Sequence, residues 1–397
     1  MKRHLLFAFG LLLLVVTEIL RIYFIMPFPG SQESDTIDIA YFLHCYIWLF
    51  RVTALLLIVP PFYNYWKGGR RKQKIISSIF LGLVLAIVYL TNFIMQADKM
   101  FRQPKHQVFS SVAENKVDEQ SIIIGVAING EAKAVPINVI GYHHRITDSV
   151  GGVPVMFAYC TVCRSGRAFS PMVNGKDEQF RLVGMDHYDA MFEDATTGSW
   201  WRQENGEAIT GKLKGKFLDE IPSHQMTLKQ WIAEHPGTKI LQPDPDFLAE
   251  YDMLRGYDYG LTKNELEYTD RNSWQMKSWV VGVVADKKEK AYDWNDLKKL
   301  RMINDTIQNT PVLLMMENDS MSFHAFSRKV NNRILWFTLN ENSSSLTDSS
   351  THSVWNSRGA CVEGEMKGAQ LTSVPAYLEY WHSWKQFHPK SSRYLLK

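Results

Sequence analysis

Apolar residues follow two regimes along this chain, and the change comes near Met100. Upstream they run almost unbroken over Leu5–Met26, Ile39–Val59 and Ile75–Met95. Each run approaches the ~20 residues a helix needs to cross a bilayer core, so three transmembrane helices are predicted. The basic start at Lys2 and Arg3 resembles that of a signal peptide. The first run is too long for one, lacks a small-residue cleavage site and is followed by two more spans. An anchor in the lipid bilayer is therefore expected.

Downstream, apolar bursts of strand length alternate with turn residues. Ile122–Ile128, Asn129-Gly130 and Glu131–Pro136 predict a hairpin closed by a type I′ turn. Ile137–Arg145 predicts a short helix and Val153–Tyr159 a strand. Asn174-Gly175, between Ala168–Val173 and Gln179–Gly184, predicts a second hairpin; Ser199–Gln203 and Glu207–Thr210 predict further strands. Thr227 is placed as the N-cap of a helix that runs to His235 and is stopped by Pro236. The fold class is thus α+β, mainly β, behind three helices.

This β-rich part is written twice. When Ser121–Pro236 is set beside Ser278–Pro389, Gly125, Lys133, Ile146, Asp148, Pro154, Ala168 and Phe169 meet Gly282, Lys290, Ile303, Asp305, Pro311, Ala325 and Phe326 at one constant offset. After short gaps, Asp194, Thr197, Ser199 and Trp201 meet Asp348, Thr351, Ser353 and Trp355, and Trp231, His235 and Pro236 meet Trp384, His388 and Pro389. The expected organisation is an anchor over 1–99, a first repeat over 100–241, a connector over 242–277 and a degenerate second repeat over 278–397. The connector residues Gln242–Gln275 have no counterpart, and they are expected to pack on a repeat or line a cleft between the two.

Charge sets the orientation. Lys67, Arg70, Arg71, Lys72 and Lys74 fall between the second and third spans, whereas Glu33, Asp35 and Asp38 fall between the first and second. The excess of positive loops on the cytoplasmic side puts the N-terminus inside and everything after about Met100 outside, in the inner (cytoplasmic) membrane. Glu18, Arg21 and Arg51 lie within the spans, and Glu18 with Arg51 is expected to form an ion pair that fixes bundle packing. With 44 basic against 41 acidic residues the chain is near neutral, and most of the excess sits in the basic loop. No footprint for nucleic acid remains on the soluble part. Four cysteines exclude a disulfide scaffold; Cys45 and Cys361 read as small buried apolar residues.

Only the first copy carries sulfur and imidazole close together in sequence. Cys160 and Cys163 fall opposite Glu317 and Ser320, and His143 and His144 opposite Leu300 and Arg301. Three chemistries fit the pair. With His143 or His144 it makes a Cys2His set for copper or zinc, His143 being favoured. Alone it can serve thiol–disulfide exchange, although no helix is predicted after it, leaving Arg164 and Arg167 to lower the thiol pKa. It can also be structural, as a disulfide in an oxidising compartment or as two buried thiols. Asp186, His187 and Asp189 form a polar loop that offers a further ligand or base. Trp201 and Trp231 recur as Trp355 and Trp384, which points to core packing for these and for Trp200 and Trp381. His235 and His388 read as partners of helix-terminal carbonyls. No G-x-S-x-G, H-E-x-x-H or dinucleotide fingerprint is present.

These motifs resemble the family known as domain of unknown function 3179. The family pattern stands here as Asn129–Pro136, His143 to Asp148, Gly151–Val155, Tyr159–Cys163, Thr197–Trp201 and Trp231 to Pro236. The resemblance covers the first copy, from about Asn115 to Leu241, and selects His143 rather than His144. Thr161 and Val162 replace Pro-Leu inside the cysteine loop, and Arg164 replaces a small residue. The resemblance implies no particular activity and no protein partner.

Overall fold

The computed structural model describes residues 2–261, 272–340 and 345–396. It divides into two compact units, Met1–Arg102 with Glu178–Phe217, and Gln103–Asp177 with Leu218–Lys397. Residues 178–217 thus belong with the N-terminal helices, a division the sequence pattern does not announce. Residues 262–271 of the connector lie outside the described residues.

In the first unit, α1 (Lys2–Tyr23), α2 (Ile37–Cys45), α3 (Ile47–Gly68) and α4 (Arg71–Tyr89) follow in order. Three helices, Lys2–Tyr23, Ile47–Gly68 and Arg71–Ile94, are long and apolar enough to cross a membrane. The second span starts at Ile47 rather than Ile39, because the backbone turns out of helix at Tyr46 (φ −104, ψ 14) and leaves α2 separate. Cys45, at the end of α2, is exposed rather than buried. The basic residues expected in a loop sit mostly on the ends of α3 and α4, which a two-residue link joins.

Glu18 is fully buried. It accepts from Arg51 Nε at 2.6 Å, Asn92 Nδ2 at 3.0 Å, Thr91 Oγ1 at 3.2 Å and Arg21 Nη2 at 3.3 Å. A carboxylate placed among apolar helices is tolerable when so fully partnered, and the expected Glu18–Arg51 pair is present. The same unit holds a four-stranded sheet of Phe180–Asp186, Asp189–Asp194, Trp200–Arg202 and Ala208–Thr210. Met185 N donates to Ile25 O at 2.8 Å. A Cβ on neighbouring Gly184 would stand 2.2 Å from that carbonyl, so only glycine lets the strand approach.

The second unit contains β1 (Ile122–Ile128), β2 (Glu131–Pro136), α5 (Ile137–His143), β3 (Arg145–Val150), β4 (Val153–Cys160), β5 (Ser165–Phe169), β6 (His224–Thr227), α6 (Leu228–Glu234) and β7 (Lys239–Leu241). The Asn129-Gly130 turn forms as expected, with φ of 49 and 81. Thr227 caps α6 by accepting from Gln230 N. The second hairpin does not form as read: Asn174-Gly175 joins only Met172–Val173 to Lys176–Asp177, and Phe180–Asp186 pairs with Asp189–Asp194 instead.

The connector adds α7 (Leu248–Met253), and the same order then recurs as β8 (Trp279–Ala285), β9 (Lys288–Asp293), α8 (Trp294–Leu300), β10 (Met302–Ile307), β11 (Thr310–Met316), β12 (Phe323–Ser327), β13 (Ala376–Tyr380) and α9 (Trp381–Phe387).

Residues aligned between the two series do matching jobs. Lys133 pairs with Asp148 at 2.7 Å, and Lys290 with Asp305 at 2.5 Å. A Cβ on Gly125 would meet the Trp231 ring at 2.6 Å, and one on Gly282 the Trp384 ring at 2.1 Å. Asp194 accepts from Thr197 Oγ1 and Trp201 Nε1, and Asp348 does so from Thr351 and Trp355. These motif residues therefore build scaffold. Trp200, Trp201, Trp231, Trp355 and Trp384 are buried, as core packing requires, while Trp381 is only partly so. The His388 ring stacks on Trp384 at 3.8 Å and the His235 ring lies tilted against Trp231 at 4.0 Å, a role not expected for them.

Candidate functional site

Cys160 is the last residue of β4 and pairs with Ser165, the first of β5. The turn Thr161-Val162-Cys163-Arg164 closes the hairpin, with Arg164 left-handed at φ 57. Both cysteines are buried and present as thiols rather than a disulfide. Their Sγ atoms lie within 4.8 Å of each other. A tight hairpin end thus puts both sulfurs in one place, as the two-residue spacing demands of a shared ligand.

Every residue of the turn is held. Thr161 O accepts from Tyr257 Oη at 2.8 Å. Val162 O accepts from Lys277 Nζ at 2.6 Å and lies 3.0 Å from His382 Nε2. Cys163 O accepts from Tyr380 N at 2.9 Å. The Arg164 guanidinium, fully buried, lies 3.6 Å above the Trp279 ring and donates to Tyr257 O and Asp258 O at 3.1 and 2.9 Å. Tyr257 and Asp258 come from the connector, and Trp279, Tyr380 and His382 from the second series. Tyr257, Asp258 and Lys277 of the connector thus contact the turn. Lys277 and Arg164 place two cations on the turn.

His143, the last residue of α5, is fully buried with its Nε2 2.6 Å from Tyr251 Oη of α7. Phe247 and Tyr251 stand edge-on to its ring. Among the described residues, no cluster of three donor atoms within 4.8 Å joins His143 to both sulfurs. His144 turns left-handed at φ 60, ends the helix two residues earlier than expected, and places Nδ1 3.1 Å from Tyr159 O. Burial lowers its pKa to about 4, so the ring is neutral. Burial, with Lys277 nearby, also lowers His382 to about 4. The polar loop lies in the first unit, where Asp186 binds Arg202 and His187, and Asp189 accepts from Glu204 N at 2.8 Å.

The sequence profile of the family described as "protein of unknown function (DUF3179)" matches residues 103–391. The chain belongs to this family. The DUF3179 match runs through both series and the connector, and so corrects the expectation that it would end near Leu241. The turn, its clamp from Tyr257 and its clamp from Tyr380 all fall inside one DUF3179 region. No curated protein and no solved structure matches the chain significantly.

Tyr251, Tyr257, Lys277 and His382 were missed by sequence reasoning. The first three lie in the connector, and His382 lies where only the three-dimensional meeting of the two series gives it a role.

Proposed function

We propose that this DUF3179 protein is a membrane-anchored, extracytoplasmic metal-binding protein, with Cys160 and Cys163 holding copper or zinc and His143 as the third candidate ligand. The observation that carries the reading is two buried thiols within 4.8 Å on a turn whose four residues are all clamped. Such a turn needs little reorganisation to take a soft cation, and binding releases the thiol protons. For His143 Nε2 to ligate, it must give up Tyr251 Oη. The orientation rests on the basic residues of 67–74 against the acidic ones of 33–38, and the two series are read as copies of one module of which the second lost the thiols. Thiol exchange has less support, because the residues after Cys163 form strand β5 and supply no helix N-terminus.

The test is a Cu⁺ titration of the full chain in detergent, against a competing chelator and under reducing conditions. One equivalent is expected, and it should vanish in Cys160→Ser and in Cys163→Ser. Equal binding by wild type and both variants would end the proposal. Loss of affinity in His143→Ala with the fold intact assigns the third ligand, and unchanged affinity removes His143 from the set.

A further inference from the structure

The position that holds Cys160 in the first series holds Glu317 in the second. Glu317 directly follows β11, where Cys160 is the last residue of β4, and Glu317 N donates to Ser322 O across the turn at 2.8 Å. Its carboxylate is not idle. Glu317 Oε1 lies 3.2 Å from His324 Nε2 on β12, and Glu234 Oε1, from the end of α6, lies 3.3 Å from the same nitrogen. The three donor atoms are all within 4.8 Å of one another. Side-chain exposure is 5 % for His324 and Glu317 and 12 % for Glu234.

One imidazole nitrogen carries at most one proton, so it cannot donate to two carboxylates at once. Here it donates to neither: His324 Nε2 and Glu317 Oε1 are both buried without a well-formed hydrogen bond. Buried polar atoms left in that state are uncommon and ask for a missing partner. Ligands about 2.0–2.1 Å from a tetrahedral ion stand about 3.3 Å apart, as Glu317 Oε1 and Glu234 Oε1 each stand from His324 Nε2. The trio also carries two carboxylates against one imidazole, a charge that a divalent ion balances.

His324 and His224 also line a cavity of about 260 Å³, with Gln225, Glu220, Phe326 and Tyr377 on its walls. We infer that Glu234, Glu317 and His324 form a second metal site, for a divalent cation of the zinc class, with its open position towards this cavity. Three protein ligands and a vacant fourth direction are the layout of a site that keeps a water or a small anionic ligand on the ion. The second series has thus exchanged a thiolate donor set for an oxygen–nitrogen one and is not inert.

The experiment uses the full chain in detergent with Cys160→Ser and Cys163→Ser together, so that the thiolate pair cannot contribute. Co²⁺ and Zn²⁺ titrations should give one equivalent, the cobalt form showing d–d absorption with no sulfur-to-metal charge transfer. His324→Ala or Glu317→Gln should weaken binding by more than about a hundredfold, beyond the loss of an outer-shell partner. Glu234→Gln, at a helix end and the least buried of the three, is the variant that keeps the fold, and it should weaken binding with an unchanged apo melting curve. Absence of binding in the double-serine chain, or binding that Glu234→Gln and His324→Ala leave unaltered, overturns the inference.

Discussion

The pair Arg167–Glu379 offers the sharpest test of how the second series supports the thiol turn. Arg167 lies on β5, directly after the turn, and Glu379 on β13, one residue before the Tyr380 amide that holds Cys163 O. Both side chains are buried, at 2 % and 0 % exposure, and are joined by a short salt bridge. Ser383 Oγ also donates to Glu379, and the guanidinium lies 3.6 Å above the Tyr377 ring. Removing one partner of a buried pair strands the other charge and costs about 3–5 kcal/mol. Arg167→Met and Glu379→Leu should each lose about 4 kcal/mol, a fall in melting temperature of about 10 °C for a unit of this size. The double variant strands no charge and should lose no more than about 2 kcal/mol, because apolar replacement of a whole buried pair is often near neutral. Melting curves of the full chain in detergent, arranged as a double-mutant cycle, read the coupling directly. Cu⁺ affinity should fall in each single variant and recover in the double one. Additive losses, or a single-variant loss below about 1 kcal/mol, would refute the reasoning.

Other consequences follow from the same contacts. Gly125→Ala and Gly282→Ala each drive a methyl group into a buried tryptophan and should cost about 1–3 kcal/mol, seen as lowered melting with unchanged metal stoichiometry. His144 is held near pKa 4 in the fold against about 6.5 when unfolded, so its stabilising share is full above pH 6.5 and drains away as pH falls towards 4. Melting at pH 5 should therefore lose about 2 kcal/mol relative to pH 7.5 through this residue, and His144→Asn should flatten the profile. Thr227→Ala removes the α6 cap and a hydrogen bond to Asp319, for about 1 kcal/mol by chemical denaturation. Glu18→Gln should loosen the helices of the first unit, read as faster proteolysis between α1 and α2 in detergent.

Much of the scaffold was legible because its signals are local. Asn129-Gly130 dictates its hairpin by backbone conformation alone, and Thr227 with Pro236 brackets one helix through a cap and a missing amide. The Glu18–Arg51 pair was readable because charges inside an apolar span have few other partners. The hairpin around Asn174 was misread for a physical reason: a turn dipeptide fixes the bend but not the length of its arms, and Phe180–Asp186 found a better partner in Asp189–Asp194. The direction of His143 was equally hidden, since its surroundings are Phe247 and Tyr251 from the connector. The trio of Glu234, Glu317 and His324 escaped notice because the comparison of copies counted Cys160 against Glu317 as chemistry lost. Glu234 joins them from the other copy, which no alignment within one copy reveals.

The most direct measurement of the central claim is X-ray absorption at the zinc edge on the zinc-loaded full chain carrying His324→Ala, which silences the oxygen–nitrogen site. Two sulfur neighbours at about 2.3 Å are predicted, falling to one in the additional Cys163→Ser variant. A shell of light atoms alone, unchanged by loss of either cysteine, would contradict the account.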